Sequence, residues 1–216
     1  MVSKKRTVIY VDGFNLYYGC LKNTAYKWLD LKTLFSKLLD KSNDIVKIKY
    51  FTAYISDRPG KDDARLRQRY YLLALAQHIP ELEIHLGHYL THEINAKVVS
   101  PPPNFIKVYK TEEKGSDVNL ALEILNDAWL NTYDCAVLVS NDSDLAAAIR
   151  LVKKQHNKKI GLVFPNTDRK RKPSKKLSQY ADFIKFIRHH VLQDSQLPGK
   201  IVNQYNGEEI YKPKGW

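Results

Sequence analysis

Cysteine is scarce in this 216-residue sequence: Cys20 and Cys135 are the only two, and methionine occurs once. Two cysteines exclude a disulfide framework and a cysteine-rich zinc site. Both sit among apolar neighbours, so they are expected to be reduced core thiols. Long apolar runs are also missing. No stretch approaches the roughly 18–20 apolar residues that span a bilayer, which excludes a membrane-spanning helix. The start, MVSKKRTVIYVDG, is basic, and its short apolar run leads straight into Asp12 and Gly13. It lacks a long hydrophobic region with a small-residue cleavage site, so it is expected to be mature protein, with the cytoplasm as its compartment. Phosphate-binding glycine loops and a G-x-S-x-G nucleophile turn are absent too.

Acidic charge is in deficit. Against 35 Lys and Arg stand 23 Asp and Glu, a net charge of +12 and a pI near 9.5. Such a chain attracts polyanions, in a salt-dependent way. Residues 153–176 hold ten Lys and Arg and one Asp. Lys153, Lys154, Lys158, Arg169, Lys170 and Arg171 are therefore expected to form a ridge that follows a nucleic acid backbone. The run does not make a clean amphipathic helix, so an anionic membrane is not the expected partner.

What the sequence does contain is an alternation of strand and helix patterns. Residues 7–11 (TVIYV) predict a buried strand, ended by the breaker pair Asp12-Gly13. Further strands are predicted at 45–55, 82–86, 105–110, 135–139 and 160–164; the fifth, CAVLV, has the unbroken apolar character of a strand buried on both faces. Helices are predicted at 31–39 behind an Asp30 cap, at 62–78 with Leu66, Tyr70, Leu73 and Ala74 on one face, and at 116–130 with Val118, Leu122 and Leu125 on one side. Another is predicted at 144–154, and residues 177–191 supply a last helix and strand. Residues 57–60 (DRPG) predict a turn, and 87–103, with three consecutive prolines, a loop or hairpin excursion. The expected fold class is α/β: a central, mostly parallel sheet flanked by helices in three layers. Residues 1–191 are expected to form this domain and 192–216 an extended tail packed on it.

Candidate chemistry lies at the strand ends. Asp12 follows the first strand, and Asp142 and Asp144 follow the 135–139 strand after Ser140 and Asn141. Asp117 begins a helix after Lys114-Gly115-Ser116. Parallel α/β sheets gather their functional loops beyond the carboxyl ends of the strands, so these four aspartates are expected in one cleft. Crowded carboxylates repel, and a hard divalent cation relieves the repulsion. Oxygen-only donors suit Mg2+ or Mn2+, which promote phosphodiester hydrolysis without a protein nucleophile. Taken singly, each aspartate also has an ordinary reading as a helix cap or turn residue.

Three stretches now stand in order: Val11-Asp12-Gly13-Phe14-Asn15-Leu16-Tyr17, then Lys114-Gly115-Ser116-Asp117-Val118-Asn119-Leu120-Ala121, then Leu138-Val139-Ser140-Asn141-Asp142-Ser143-Asp144-Leu145. Together they resemble the NYN domain family, a branch of the PIN-like metal-dependent ribonucleases. The resemblance runs from about residue 7 to 186, and Leu177-Ser178-Gln179-Tyr180-Ala181-Asp182-Phe183-Ile184 looks like the family's closing element. It implies a PIN-like fold and hydrolysis of nucleic acid, most often RNA, with Mg2+ or Mn2+. It implies that Asp12, Asp117, Asp142 and Asp144 are the metal-binding and catalytic acids, with Asp12 and Asp142 holding the principal ion. Asn15 would orient Asp12 or touch substrate, and Ser140 is the small polar residue beside the acidic pair. The sequence departs from the family pattern at Asn141, where glycine is common, and at Leu145, where an aromatic is common. Related PIN-like domains often pair, which makes a homodimer an assembly to test.

Other readings fare worse. A haloacid-type phosphatase needs a second acid two residues after Asp12, where Phe14 stands. A calcium loop starting at Asp142 lacks its glycine. His85, His88 and His92 do not share one helix or strand face, and are expected to be surface histidines. Tyr10, Tyr17, Tyr18, Tyr70 and Tyr71 are candidates for base stacking, with core or interface packing as their ordinary role. The rival to the enzyme is a non-catalytic RNA-binding module on the same fold.

Overall fold

β1 (Lys5–Asp12) buries its last six residues, as an unbroken apolar strand between two helical layers should. The computed structural model describes residues 4–55, 62–167, 171–203 and 206–216. After β1 come α1 (Gly13–Leu16), a π-helical turn (Tyr17–Leu21), α2 (Leu31–Leu38), β2 (Asn43–Thr52), α3 (Asp62–His78) and β3 (Leu82–Leu86). Then follow β4 (His88–Lys97), β5 (Phe105–Lys114), α4 (Ser116–Trp129), β6 (Cys135–Val139), a 3-10 turn (Ser143–Leu145), α5 (Ala146–His156) and β7 (Lys159–Phe164). α6 (Lys175–Ser178), β8 (Phe183–Phe186), α7 (His189–Gln193), β9 (Lys200–Val202) and β10 (Glu209–Tyr211) complete the order. The expected turn at 57–60 lies outside the described residues.

Six strands form one sheet in the order β3-β2-β1-β6-β7-β8, and every neighbouring pair is parallel. The first three strands build outward from β1 in one direction, and the last three build outward in the other. The chain therefore reverses its winding between β1 and β6. At such a point the flanking loops part and leave a crevice at the carboxyl ends of the strands. Alternate residues of β1 feed the two faces. Ile9 and Val11 pack with Leu34 and Phe35 of α2 and Tyr71 and Leu75 of α3. Val8 and Tyr10 pack with Leu120 and Ile124 of α4 and Ile149 and Val152 of α5. Cys20 and Cys135 are buried free thiols.

Two helices turn a different face inward from the one their spacing suggested. On α3, Leu66, Tyr70 and Leu73 are exposed, while Tyr71, Leu72, Ala74 and Leu75 are buried. On α4, Val118 and Leu122 are exposed, and Leu120, Ile124, Asp127 and Ala128 face the sheet. Each helix carries two apolar stripes, so periodicity alone does not choose. On α4 the choice follows from a buried ion. Lys49 of β2 pairs with Asp127 at 2.7 Å and with Glu123 at 2.6 Å. The Tyr10 hydroxyl donates to the same Asp127 carboxylate at 2.6 Å. Only the stripe that carries Asp127 can answer that buried cation.

The 87–103 excursion is a hairpin. β4 and β5 pair antiparallel from His88 and Lys114 out to Lys97 and Phe105 as a separate two-stranded ribbon. The β4 arm shows little periodicity because no second layer covers it, and most of its residues are exposed. Beyond α7, the chain returns as the β9-β10 hairpin and lays Ile201 and Ile210 into the core beside α2 and α3. The Trp28 indole donates to the Pro198 carbonyl at 2.8 Å, and the Trp216 ring stands 5.4 Å from that of Tyr71. No helix among the described residues is long and apolar enough to cross a membrane.

Candidate functional site

Val11 of β1 is in register with Val139 of β6, so Asp12 and Ser140 leave the sheet side by side at the reversal point. Asp12 is 3% exposed and caps α1. Its Oδ1 accepts the Asn15 backbone N–H at 2.9 Å. Its Oδ2 accepts the Asn15 side-chain amide at 2.5 Å and the Ser140 hydroxyl at 2.8 Å. Burial pushes the Asp12 carboxyl pKa up, and the charge of Asp142 adds to that push, against the opposing pull of the Asn15 and Ser140 hydrogen bonds.

The loop after β6 is tied to the loop after β1. The Ser140 hydroxyl accepts the Asp142 N–H at 3.0 Å, and Asp142 Oδ1 accepts the Asp144 N–H at 2.9 Å, capping the 3-10 turn. The Asn15 side-chain carbonyl accepts the Asn141 N–H at 3.3 Å. Asn141 in turn accepts the Ser174 N–H at 2.7 Å, which binds a third loop to the cleft. The asparagine at 141 is thus a cross-link, a job glycine could not do.

Asp117 arrives from the first turn of α4. Gly115 adopts φ of 100°, a left-handed conformation that favours glycine, to start the helix. The Glu113 carboxylate accepts both the Ser116 N–H at 3.1 Å and the Ser116 hydroxyl at 2.5 Å. The Asp117 carboxyl is pushed up to about 6, first by partial burial and then by the charges of Asp12, Asp142, Glu113 and Asp144. All four expected aspartates therefore share one electrostatic field, and Glu113 joins it as a fifth acid. Sequence reading passed over Glu113 because it sits in the Glu-Glu-Lys run at the end of the ribbon, where charge reads as solvated surface.

Oxygen is the only ligand type these groups offer, and among the described residues none of the four aspartates is in an ion pair. That donor set fits a hard divalent cation. As the side chains stand, no three His, Cys, Asp or Glu groups among the described residues are placed to ligate one ion together. Asp12 spends its oxygens on Asn15 and Ser140, whereas Asp117 and Asp144 are exposed at helix starts. Joint ligation requires rotation of those two exposed side chains, a motion open to surface groups on a fast timescale.

The crowding has a sign that can be worked out. Asp117 has a folded-state pKa of about 6 against an ordinary 3.8, so between those values the folded state holds the extra proton. Stability is therefore lost as pH rises through that window. Because the side chain is exposed, the loss is discounted to about 1 kcal/mol. In EDTA at pH 7, Asp117→Asn is expected to raise the melting temperature by about 2–4 °C. The gain should vanish at pH 4, and a gain that persists there would show the repulsion is not its source.

The basic residues divide. Arg171 lines a cavity of about 230 Å³ together with Asn15, Asn141 and Asn166, directly beside the acids. Lys153 pairs with Asp182, whose carboxylate also accepts the N–H of Ile160 at the start of β7. Lys158 bonds Asn131, ahead of β6. α5 begins beside the acids and runs back along the sheet, so Lys153 and Lys154 lie about 11–12 Å along it from its start. Arg169 and Lys170 lie outside the described residues. Reversal of charge at Arg171 (Arg171→Glu) is expected to weaken single-stranded RNA binding across sequences and reduce its salt slope by about one. Unchanged affinity and slope would remove Arg171 from the interface.

His85 stacks on Phe51 with centroids 4.6 Å apart, and His88 and His92 are exposed on the ribbon. Tyr10 and Tyr71 are core residues whose hydroxyls bond Asp127 and the Leu29 carbonyl. Tyr70 is exposed on the outer face of α3, away from Tyr71. Of the five candidate stacking tyrosines, Tyr17 and Tyr18 follow the acidic loop directly.

Three likenesses to known proteins meet this geometry. The NYN domain model matches residues 6–190. The 6-hydroxy-3-succinoylpyridine 3-monooxygenase HspA of Pseudomonas putida (strain DSM 28022 / S16) is 34% identical over 243 aligned residues, covering 98% of this chain and 75% of that protein. A crystal structure of a Vibrio parahaemolyticus (RIMD 2210633) protein of unknown function superposes with a TM-score of 0.54 at 21% identity, over 88% of this chain and 96% of that one, a likeness of fold alone. With the family model spanning the sheet and all three acidic loops, the chain belongs to the NYN domain family.

Proposed function

We propose that the protein hydrolyses phosphodiester bonds in single-stranded RNA, with Mg2+ or Mn2+ held by Asp12, Asp117, Asp142 and Asp144. The observation that carries this reading is the crowded acidic field at the sheet reversal, where Asp12, Asp142, Asp144 and Glu113 all act on Asp117 and, among the described residues, no cation pairs with the aspartates. Such a field at the mouth of a chain with net charge +12 favours a cation first and a polyanion second. When bound, the ion would offset the repulsion, lower the pKa of a water and stabilise charge on the leaving oxygen. Asp12 is the fixed member, held in one rotamer by Asn15 and Ser140. Asp142 shapes the loop and keeps one oxygen free of its capping bond. Asp117 and Asp144 adjust from their exposed positions. Arg171 holds substrate phosphate beside the acids.

A second reading is favoured by the Pseudomonas relative, whose name describes oxygenation of a substituted pyridine and whose likeness spans nearly the whole chain. The non-catalytic binding module is the third. Labelled single-stranded RNA incubated with the purified protein and Mn2+ separates them. Cleavage that EDTA stops supports the hydrolase. Binding without cleavage supports the module, and neither binding nor cleavage favours a small-molecule substrate.

A further inference from the structure

We propose that the cavity between the π-helical turn, α3 and Trp216 is a binding site for a flat aromatic ring that carries an anionic group. This site does not depend on the hydrolase reading, because none of the four aspartates lines it. The cavity holds about 330 Å³, within the range of small-ligand sites. Phe14, Tyr17, Tyr18, Tyr50, Tyr71 and Trp216 supply aromatic wall, and Lys22, Lys27 and Arg67 are the charged residues of the lining. No carboxylate is among the described lining residues.

Each half of that lining selects one half of the ligand. Aromatic rings stack on aromatic rings, and three cations with no acid among the described lining residues draw a negative group. Among the described residues the ion pair of Arg67 is a weak one: it spans 3.8 Å to Asp63, whose side chain is 86% exposed. Lys22 stands over the Tyr18 ring at 5.0 Å, at the rim.

The wall also carries a hydroxyl. Tyr50 is 6% exposed and forms part of the cavity lining. The hydroxyl lies 2.8 Å from where a side chain at residue 13 would begin, so glycine there keeps the approach open. A ring substituent that accepts a hydrogen bond could take one from this hydroxyl.

Two sources offer this chemistry: a nucleotide of a nucleic acid chain, and a free aromatic carboxylate. Phe14 and Tyr18 line both this cavity and the Arg171 cavity, so a strand could reach from one to the other. The full chain, in EDTA, is titrated by calorimetry with adenosine 5′-monophosphate and with pyridine-3-carboxylate. Ribose 5-phosphate supplies the anion alone, and adenosine the ring alone. The expected result is saturable binding of at least one complete probe, about tenfold or more tighter than its half-probe. Stronger nucleotide binding identifies the nucleic acid source, and stronger carboxylate binding the free acid. Arg67→Gln, at a half-buried helix position, should weaken the winning probe about tenfold. Tyr50→Phe keeps the ring and should weaken it severalfold, whereas Trp216→Leu is read only if its melting curve is unchanged. Failure of both probes to saturate by about 10 mM, or affinity unaltered in Arg67→Gln and Tyr50→Phe, overturns the assignment. Because no metal is present, either failure leaves the cleavage experiment untouched.

Discussion

Asparagine in place of Asp142 is expected to lower metal-dependent cleavage of RNA by about a thousandfold or more without loss of fold. Asp142 has two separable jobs. Its backbone N–H and Oδ1 build the loop, through the Ser140 hydroxyl and the Asp144 N–H. Its charge belongs to the shared field that acts on Asp12 and Asp117. Asparagine keeps an oxygen to cap the 3-10 turn and discards the charge. Without metal, removal of repulsion should hold or raise the melting temperature. A large fall in melting temperature would make Asp142 structural, and full activity in the variant would dismiss it from catalysis.

Lys49→Met is expected to destabilise the protein by about 3–5 kcal/mol, although residue 49 takes no part in the chemistry. The Lys49 side chain is 7% exposed and bridges Glu123 and Asp127 of α4. Methionine fills the volume but leaves the Asp127 carboxylate, 9% exposed, with the Tyr10 hydroxyl as its remaining side-chain donor. A buried charge without its counter-ion is the expensive half of such a pair. The effect extends to the site, since α4 carries Asp117 in its first turn. Urea unfolding measures the loss. A change under about 1 kcal/mol would mean that apolar packing alone seats α4 on the sheet.

Legibility followed burial. β1 and β6 lie between two layers, so both faces must be apolar, and their sequences announce strands without ambiguity. The loops after them inherit their position from the sheet, which is why Asp12 and Asp142 were readable from order alone. The place of Asp117 was readable because Lys114-Gly115-Ser116 announces the start of its helix. The inward faces of α3 and α4 were not readable. Each has apolar residues on opposite sides, and the deciding contact on α4, Lys49 with Asp127, joins residues far apart in the chain. β4 was indistinct for the opposite reason, since nothing packs on it to impose a pattern. In the basic run, Lys153 and Lys154 take their place from α5, which carries them away from its acidic end, a direction that a count of charges does not contain. The aromatic cavity draws on residues from Gly13 to Trp216, and no local motif encodes it.

The account turns on one hard cation shared by the carboxylates at the sheet reversal. Crystals soaked in Mn2+ and measured for its anomalous scattering test this directly. The predicted result is a peak bridging Asp12 and Asp142, with Asp117 and Asp144 turned toward it directly or through water. Saturating Mn2+ with no peak between those loops, or with its only peak elsewhere on the protein, would contradict it.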